Sequence, residues 1–589
     1  MVYLPRPFPS LRHLSILLVA GLGGFSASVT AQPVKNVQLP AAAKGAAAIS
    51  ALGAHLPEVA RAYGLDAQAL STLFRLQPSL AVDRQGALVY LCEALPAGGP
   101  VAGANLPVSY TATSADALNL HSLPGAALTL YLDFNGHTTS GTPWNSSFSG
   151  GNPIVSQPFD LDGSPSTFGT TEMEFIFKVW KRVAEDFAPF RVNVTTADPG
   201  AEALRKTDSS DGTFGTRVVI SPTNWYSTNA GGVGYIGSFS WNSDTPCFVF
   251  TAQLANGEKY IAECISHETG HTLGLNHDGL GGTTPTEYYQ GQGTWAPIMG
   301  NSYYKAVTQF SRGEYANANN TQDDLTIISG HIPIAADDHG SSLATASGLT
   351  GPAVQDGGTL ESRTDVDLFR FDTGAGAISL LIQSPAQAPN ADIKAELLNS
   401  SGQVLQTSDP ATLSASIAMT VTAGTYYLRL SSVGSGDPVT TGYSNYASIG
   451  VITGTLISTG VSQAPIAVAT ATTQSGSTPL TVAFSSSGSY DPDGSIVSYQ
   501  WSFGTGDSAT AASPSYTFTT SGTYNVTLTV TDNNGLSNVA SVTITVLPPP
   551  NLLPTAVLTA STTSGMAPLA ITFSGSRSYD PDGQIAAYA

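Results

Sequence analysis

The chain contains the stretch His267-Glu268-Thr269-Gly270-His271-Thr272-Leu273-Gly274-Leu275-Asn276-His277. On a helix, His267 and His271 stand one turn apart on the same face, so both imidazoles reach one metal ion. Gly274 is able to leave the helix with φ > 0, and the turn brings His277 round as a third ligand. Three neutral imidazoles leave one tetrahedral position open, as a catalytic rather than a structural zinc site requires. Glu268 sits beside the first ligand, where its carboxylate takes a proton from water in that position. The competing reading, a helix with solvated histidines, needs all of these fixed positions to coincide by chance. The stretch therefore predicts a zinc hydrolase centre, with His267, His271 and His277 as metal ligands and Glu268 as catalytic base.

A second stretch, Trp295-Ala296-Pro297-Ile298-Met299-Gly300, has its Met299 22 residues beyond His277. Together the two resemble the metzincin clan of zinc endopeptidases, whose signature is an extended histidine motif followed by a methionine-containing turn. The resemblance implies an α+β metzincin-like catalytic domain (a mixed twisted sheet with two long helices), one catalytic Zn²⁺, and Met299 as the Met-turn floor beneath the histidines. Asp278, directly after His277, resembles the reprolysin (adamalysin-like) branch. The astacin and serralysin branches place a tyrosine two residues after the methionine, where this chain has Asn301; a cytophagalysin-like member is the alternative. Gly231-Gly232-Val233-Gly234-Tyr235-Ile236-Gly237 looks like the edge strand above the cleft. In metzincins that edge pairs antiparallel with an extended substrate, which makes Gly232, Val233 and Gly234 the substrate-binding positions. A plain Gly-rich loop is the other reading. Tyr303, Tyr304, Val307 and Phe310 suggest an apolar wall for the pocket beside the zinc.

At 589 residues the chain holds several domains, and it is poor in charge, with 11% Asp, Glu, Lys and Arg and a formal net charge of −20. This acidity argues against nucleic acid and anionic membrane surfaces as partners and fits a soluble exported surface. Arg6, Arg12 and His13 precede an apolar run from Leu14 to Ala20, and Val29-Thr30-Ala31 offers small residues for cleavage. Residues 1–31 thus read as a signal peptide and the protein as secreted, with no later segment apolar enough to span a membrane. Residues 32–123 carry no catalytic pattern. They read as helical around Ala41–Ala54 and Leu56–Arg75 and strand-like at Ala87–Leu95. An exported protease active while folding endangers its own cell, so this region is expected to be a propeptide of a zymogen.

Three cysteines occur, Cys92, Cys247 and Cys264, and an odd count leaves one over. Cys247 falls on the apolar strand Cys247-Phe248-Val249-Phe250, and Cys264 lies three residues before His267. In a metzincin-like sheet that strand packs close to that helix, so the resemblance implies a Cys247–Cys264 disulfide pinning the catalytic helix. Cys92 is then free in the propeptide. An inert buried thiol is the favoured reading, because no flanking sequence matches a known cysteine-switch motif. The alternative is a cysteine switch, a propeptide thiolate on the zinc as in some metzincin zymogens.

Within residues 124–332, the expected catalytic domain, Leu128–Phe134 reads as a buried strand and Thr171–Phe187 as a helix with one apolar face. Phe190–Thr195 and Thr216–Ser221 read as further strands. Ser311–Ser329 reads as a closing helix whose Glu314, Asp323 and Asp324 form a solvated face, with Ca²⁺ binding the alternative.

From about Pro333 the chain becomes strand-rich. Residues 336–456 resemble the bacterial pre-peptidase C-terminal domain, an all-β sandwich, through Asp365-Val366-Asp367-Leu368-Phe369-Arg370-Phe371 and Ala423-Gly424-Thr425-Tyr426-Tyr427-Leu428-Arg429-Leu430, which alternate on a two-residue period. A repeat follows: Pro479–Phe484 through Ser489-Tyr490-Asp491-Pro492-Asp493-Gly494 recurs as Pro568–Phe573 through Ser578-Tyr579-Asp580-Pro581-Asp582-Gly583, an offset of 89 residues. With Tyr499–Gly504 and Gly522–Leu528, residues 463–547 resemble a PKD domain, and residues 551–589 an incomplete second PKD-like domain of a longer product. The expected function is a secreted zinc endopeptidase acting on proteins or peptides. The rival reading is an adhesion protein whose β-sandwich domains bind extracellular matrix or polysaccharide, with a vestigial zinc site.

Overall fold

The computed structural model describes residues 34, 36–94, 117–226, 229–349, 353–373, 376–422, 424–458, 464–492, 495–532 and 535–589. The signal peptide expected at residues 1–31 lies outside them. Among the described residues, the N-terminal region and the region expected to be catalytic share an eight-stranded sheet, in the order Ala43–Lys44, Leu80–Val82, Leu88–Glu93, Ala230–Tyr235, Cys247–Phe250, Phe214–Ser221, Leu128–Asp133, Val192–Thr195. The last four run parallel, and Leu128–Asp133 is buried along its whole length, as a strand covered on both faces must be. Ala230–Tyr235 turns the direction, pairing antiparallel with Cys247–Phe250.

Two helices cover one face. Thr170–Asp186 opens with Glu172 reaching back to accept from the Gly169 N–H at 2.8 Å, which satisfies a donor at the helix start. Its Met173, Ile176, Val179 and Val183 join the core with Leu130, Val218 and Ile265. The second helix, Glu258–Thr272, is buried from Tyr260 onward, so its polar motif sits inside protein rather than on a wetted face. Both helices and the mixed sheet match the expected architecture.

The N-terminal region is a small unit of three helices, Ala46–Leu52, Leu56–Ala62 and Ala67–Leu76, over the strands Leu80–Val82 and Leu88–Glu93. Leu70, Phe74, Leu80, Val82 and Tyr90 form its core. Its second strand corrects the expectation of an open cleft edge: Leu88–Glu93 pairs antiparallel with Ala230–Tyr235, with Tyr90 opposite Gly234, Leu91 opposite Val233 and Cys92 opposite Gly232. The edge of Ala230–Tyr235 that was expected to be open is therefore taken by the chain's own N-terminal strand. The closing helix is also shorter than expected, spanning Asp324–His331 with Asp323 as its N-cap. Residues 311–323 run as irregular chain over the motif.

The β-sandwich that follows stacks a five-stranded sheet containing Val366–Thr373 and Gly424–Ser432 on a four-stranded sheet containing Gly376–Gln383 and Gly450–Ser458. It is seated directly on the catalytic region, since Tyr446 and Ala447 belong to the same core cluster as the active-site helix. Asn390 Nδ2 donates to Asp186 Oδ1 at 2.9 Å, Val451 N donates to Glu185 Oε1 at 3.1 Å, and Gln309 Nε2 donates to Asn390 O at 2.6 Å. The PKD-like sandwich buries Trp501, Phe484 and Val526. In residues 551–589 the residue equivalent to Phe484 is Phe573. No helix among the described residues is long and apolar enough to cross a membrane.

Candidate metal centre

The three motif histidines converge. His271 Nε2 lies 3.1 Å from His267 Nε2 and 3.0 Å from His277 Nε2. The helix holds the first two, and Gly274, at φ +100°, makes the turn that delivers the third. Each ring is oriented through its far nitrogen: His267 Nδ1 donates to Ile298 O at 2.8 Å, His271 Nδ1 to Leu275 O at 2.8 Å, and His277 Nδ1 to Glu287 Oε1 at 3.0 Å. With Nδ1 carrying the proton, the Nε2 lone pairs all point to one place. Burial holds the imidazoles in their neutral, ligand-competent form, pushing His267 down to about 4 and the other two lower still.

The fourth corner is Cys92. Its Sγ is 3.5, 3.4 and 3.4 Å from the Nε2 atoms of His267, His271 and His277. Four such ligands around zinc, at the usual Zn–N and Zn–S lengths, stand about 3.3–3.6 Å apart, so the donor set fits a tetrahedral Zn²⁺. Burial is the main reason the thiol's pKa is raised well above its usual value, a condition that a bound cation reverses. The favoured expectation of an inert thiol is corrected here: the register of Leu88–Glu93 on Ala230–Tyr235 carries Cys92 to the histidines. The expected Cys247–Cys264 bridge is not formed either. Both thiols are free and buried, Cys247 donating to Arg217 O at 3.8 Å and Cys264 facing Tyr303.

Glu268 is fully buried, and burial pushes its carboxyl up to about 8, which the Cys92 thiol partly offsets. The carboxylate lies against the backbone of the cleft strand, which explains two glycines. A Cβ at Gly232 would stand 2.4 Å from Glu268 Oε1, and one at Gly234 would stand 3.0 Å from Oε2. Met299 is completely buried beneath the helix, and a Cβ at Gly270 would meet its Sδ at 2.5 Å. Asp278 N donates to Met299 O at 2.8 Å, so the residue after the third histidine ties the two motif stretches together.

Several contacts were not legible in the sequence. Tyr90 stacks on His271 with ring centroids 4.1 Å apart, and Gln77 Nε2 donates to His277 O at 3.1 Å. Glu287 holds His277 and accepts from Ser79 N at 3.1 Å and from its hydroxyl. Tyr90, Gln77 and Ser79 come from the N-terminal unit, and Glu287 lies in an irregular loop, so no periodicity marks them. The expected apolar wall is only partly present. Tyr303 lines the 290 Å³ cavity beside His267, whereas Val307 and Phe310 are buried in cores. The acids of the closing segment do not gather around a cation. Asp324 is buried and accepts from Ser311 N at 2.9 Å, Asp323 accepts from Thr326 N at 3.0 Å, and Glu314 pairs with Arg312. Acidic groups close enough to share an ion occur elsewhere, as in Asp337, Asp365 and Asp367 of the sandwich.

The mixed sheet carries two histidines on its helix and a third just beyond it, converging in a buried cluster with a glutamate next to the first of them. Residues 184–327 match the Reprolysin-like metallo-peptidase family M12B and residues 462–546 match the PKD domain, so the chain carries a reprolysin-like metallopeptidase domain followed by a PKD domain. It is similar to the pre-pro-metalloprotease PrtV of Vibrio cholerae, 52% identical over 68 residues, 12% of this chain and 7% of that protein. It is also similar to a microbial collagenase of Vibrio alginolyticus, 41% identical over 92 residues, 16% of this chain and 11% of the relative. The matched stretches are thus a small part of these relatives' length. Among solved structures, the PKD1 domain of PrtV is 42% identical, covering 14% of this chain and 96% of that one, with a TM-score of 0.13.

Proposed function

We propose that the protein is a secreted, zinc-dependent endopeptidase made as a zymogen, with His267, His271 and His277 as ligands, Glu268 as general base and Met299 as the floor of the site. The observation that carries this reading is the set of three Nε2 atoms converging on one point, with the Glu268 carboxylate buried beside them. Bound zinc would supply Lewis-acid chemistry, polarising a scissile carbonyl and making water a stronger acid. Glu268 accepts the proton of the attacking water and returns it to the leaving amine. Gly232, Val233 and Gly234 form the edge that pairs with an extended peptide, through whichever of their backbone groups face outward, once the N-terminal strand has left.

In the uncleaved chain that strand fills the cleft, and Cys92 occupies the corner where water must bind. We therefore read residues 32–123 as a latency segment and Cys92 as its switch. Substrates are proteins or peptides. The sandwich and PKD-like domains are proposed to contact matrix or polysaccharide, a role separable from catalysis. Processed protein should hydrolyse casein and lose that activity to a zinc chelator. Glu268→Gln should keep its zinc, measured by metal analysis, while turnover falls by at least roughly 10²-fold. Full activity in that variant sinks the assignment.

A further inference from the structure

Resting on the protease reading above, we propose that the cavity beside His267 selects a lysine or arginine immediately after the scissile bond, with Glu263 as the residue that sets this preference. The cavity holds 290 Å³ and lies between the active-site helix and the chain beyond Met299. Cys92 and Ala94 both line it. The strand carrying them runs antiparallel to Ala230–Tyr235, as an extended substrate pairing with that strand would. Cys92 marks the metal corner, so a substrate running the same way sends the side chain just past its scissile bond into this cavity.

The walls are built for a donor. Glu263 is one helical turn before His267 and only 5% exposed. Its Oε1 accepts from Lys259 Nζ at 2.7 Å and from Thr308 Oγ1 at 3.0 Å, while Oε2 is buried and has no hydrogen-bond partner. Asn301, which also lines the cavity, has a buried Oδ1 that is likewise an acceptor without a donor. Glu287 adds a second carboxylate to the lining, and loses its Ser79 partner when the N-terminal unit departs. Lys259 is set against the carboxylates of Glu263 and Glu287, so these three side chains together carry one more negative than positive charge.

A buried acceptor left without a donor is costly, and an apolar side chain in this cavity leaves both acceptors in that state. An ammonium or guanidinium brings donors and the complementary charge. A site built around polar partners rejects a substrate lacking them more strongly than an apolar slot rejects a size mismatch.

The experiment uses processed protein and two fluorogenic peptides that differ only after the scissile bond, one with Lys and one with Leu. Cleavage sites in denatured casein are mapped in parallel by mass spectrometry. We expect kcat/KM for the Lys peptide to exceed that for the Leu peptide by roughly 100-fold or more, and the mapped sites to be enriched in Lys and Arg at that position. In Glu263→Leu the preference should reverse. Equal rates, or casein sites dominated by apolar residues at that position, overturn the proposal while leaving the protease reading intact. Absence of any casein hydrolysis overturns that reading instead. Because Glu263 also holds Lys259 and Thr308, the wild-type map decides the question if the variant fails to fold.

Discussion

At Gly232 one missing methyl group decides where the catalytic carboxylate can sit. The strand passes so close to Glu268 that a Cβ there would be 2.4 Å from Oε1, a separation that forces something to move. Neither side yields easily, since Glu268 is on a buried helix and Gly232 is mid-strand in the sheet. Gly232→Ala should therefore displace the base and reduce kcat/KM of the processed enzyme by roughly 10²-fold, the scale expected for a misplacement of about an ångström. Zinc content should be unchanged, because the histidines keep their own partners. Measuring both in the same preparation separates a moved base from a lost metal. The sequence announced the ligands and Glu268 because their spacing is fixed by the helix. It did not announce Glu287, Tyr90 or Gln77, whose proximity depends on a fold that brings residues 77–92 onto residues 271–287.

Among the elements, the strand Leu88–Glu93 has the most to do with control. Its β character was readable from the continuous apolar run at residues 87–92, and the long helix at 170–186 and the buried strand at 128–133 were readable from their own apolar patterns. Its neighbour was not readable, since pairing between segments some 140 residues apart leaves no local pattern. The same limit explains the overextended closing helix. Residues 311–323 have helix-compatible composition, but their polar groups are spent on tertiary contacts, such as Ser311 N to Asp324 and Asn320 to Asp278. Two devices block the cleft, backbone pairing along the strand and the thiol at the metal corner. Removing the second should weaken latency without abolishing it. In Cys92→Ala, uncleaved protein should hydrolyse a short peptide at least about tenfold faster than uncleaved wild type, the factor for each 1.4 kcal/mol of lost closure. Unchanged latency in that variant would assign the block to the strand alone.

Across the whole molecule, the β-sandwich is fastened to the catalytic region through buried acids. Burial and the nearby Glu263 carboxylate push Asp186 up to about 7, while Ser266 and Asn390 donate to it. In the unfolded chain the same group titrates near 3.9, so between about pH 4 and 7 the folded state holds a proton that the unfolded state has released. The resulting stabilisation is complete below that window and is lost as pH rises through it. Asp186→Asn, which mimics the protonated acid, should flatten the fall of Tm between about pH 5 and 7.5. A slope identical to wild type would remove Asp186 from this role. Glu185, also raised by burial at the same junction, keeps part of the slope in either protein. The inner sheet has a different asymmetry. In the uncleaved chain, Ala230–Tyr235 has a neighbour on both sides. On the proposed zymogen reading, maturation takes one of them away and leaves a ledge of unsatisfied amides that only another extended backbone can complete. Each catalytic cycle is then a visit by a borrowed strand, and native helices and closed sheets, whose backbone is already spoken for, are poor visitors until they unravel.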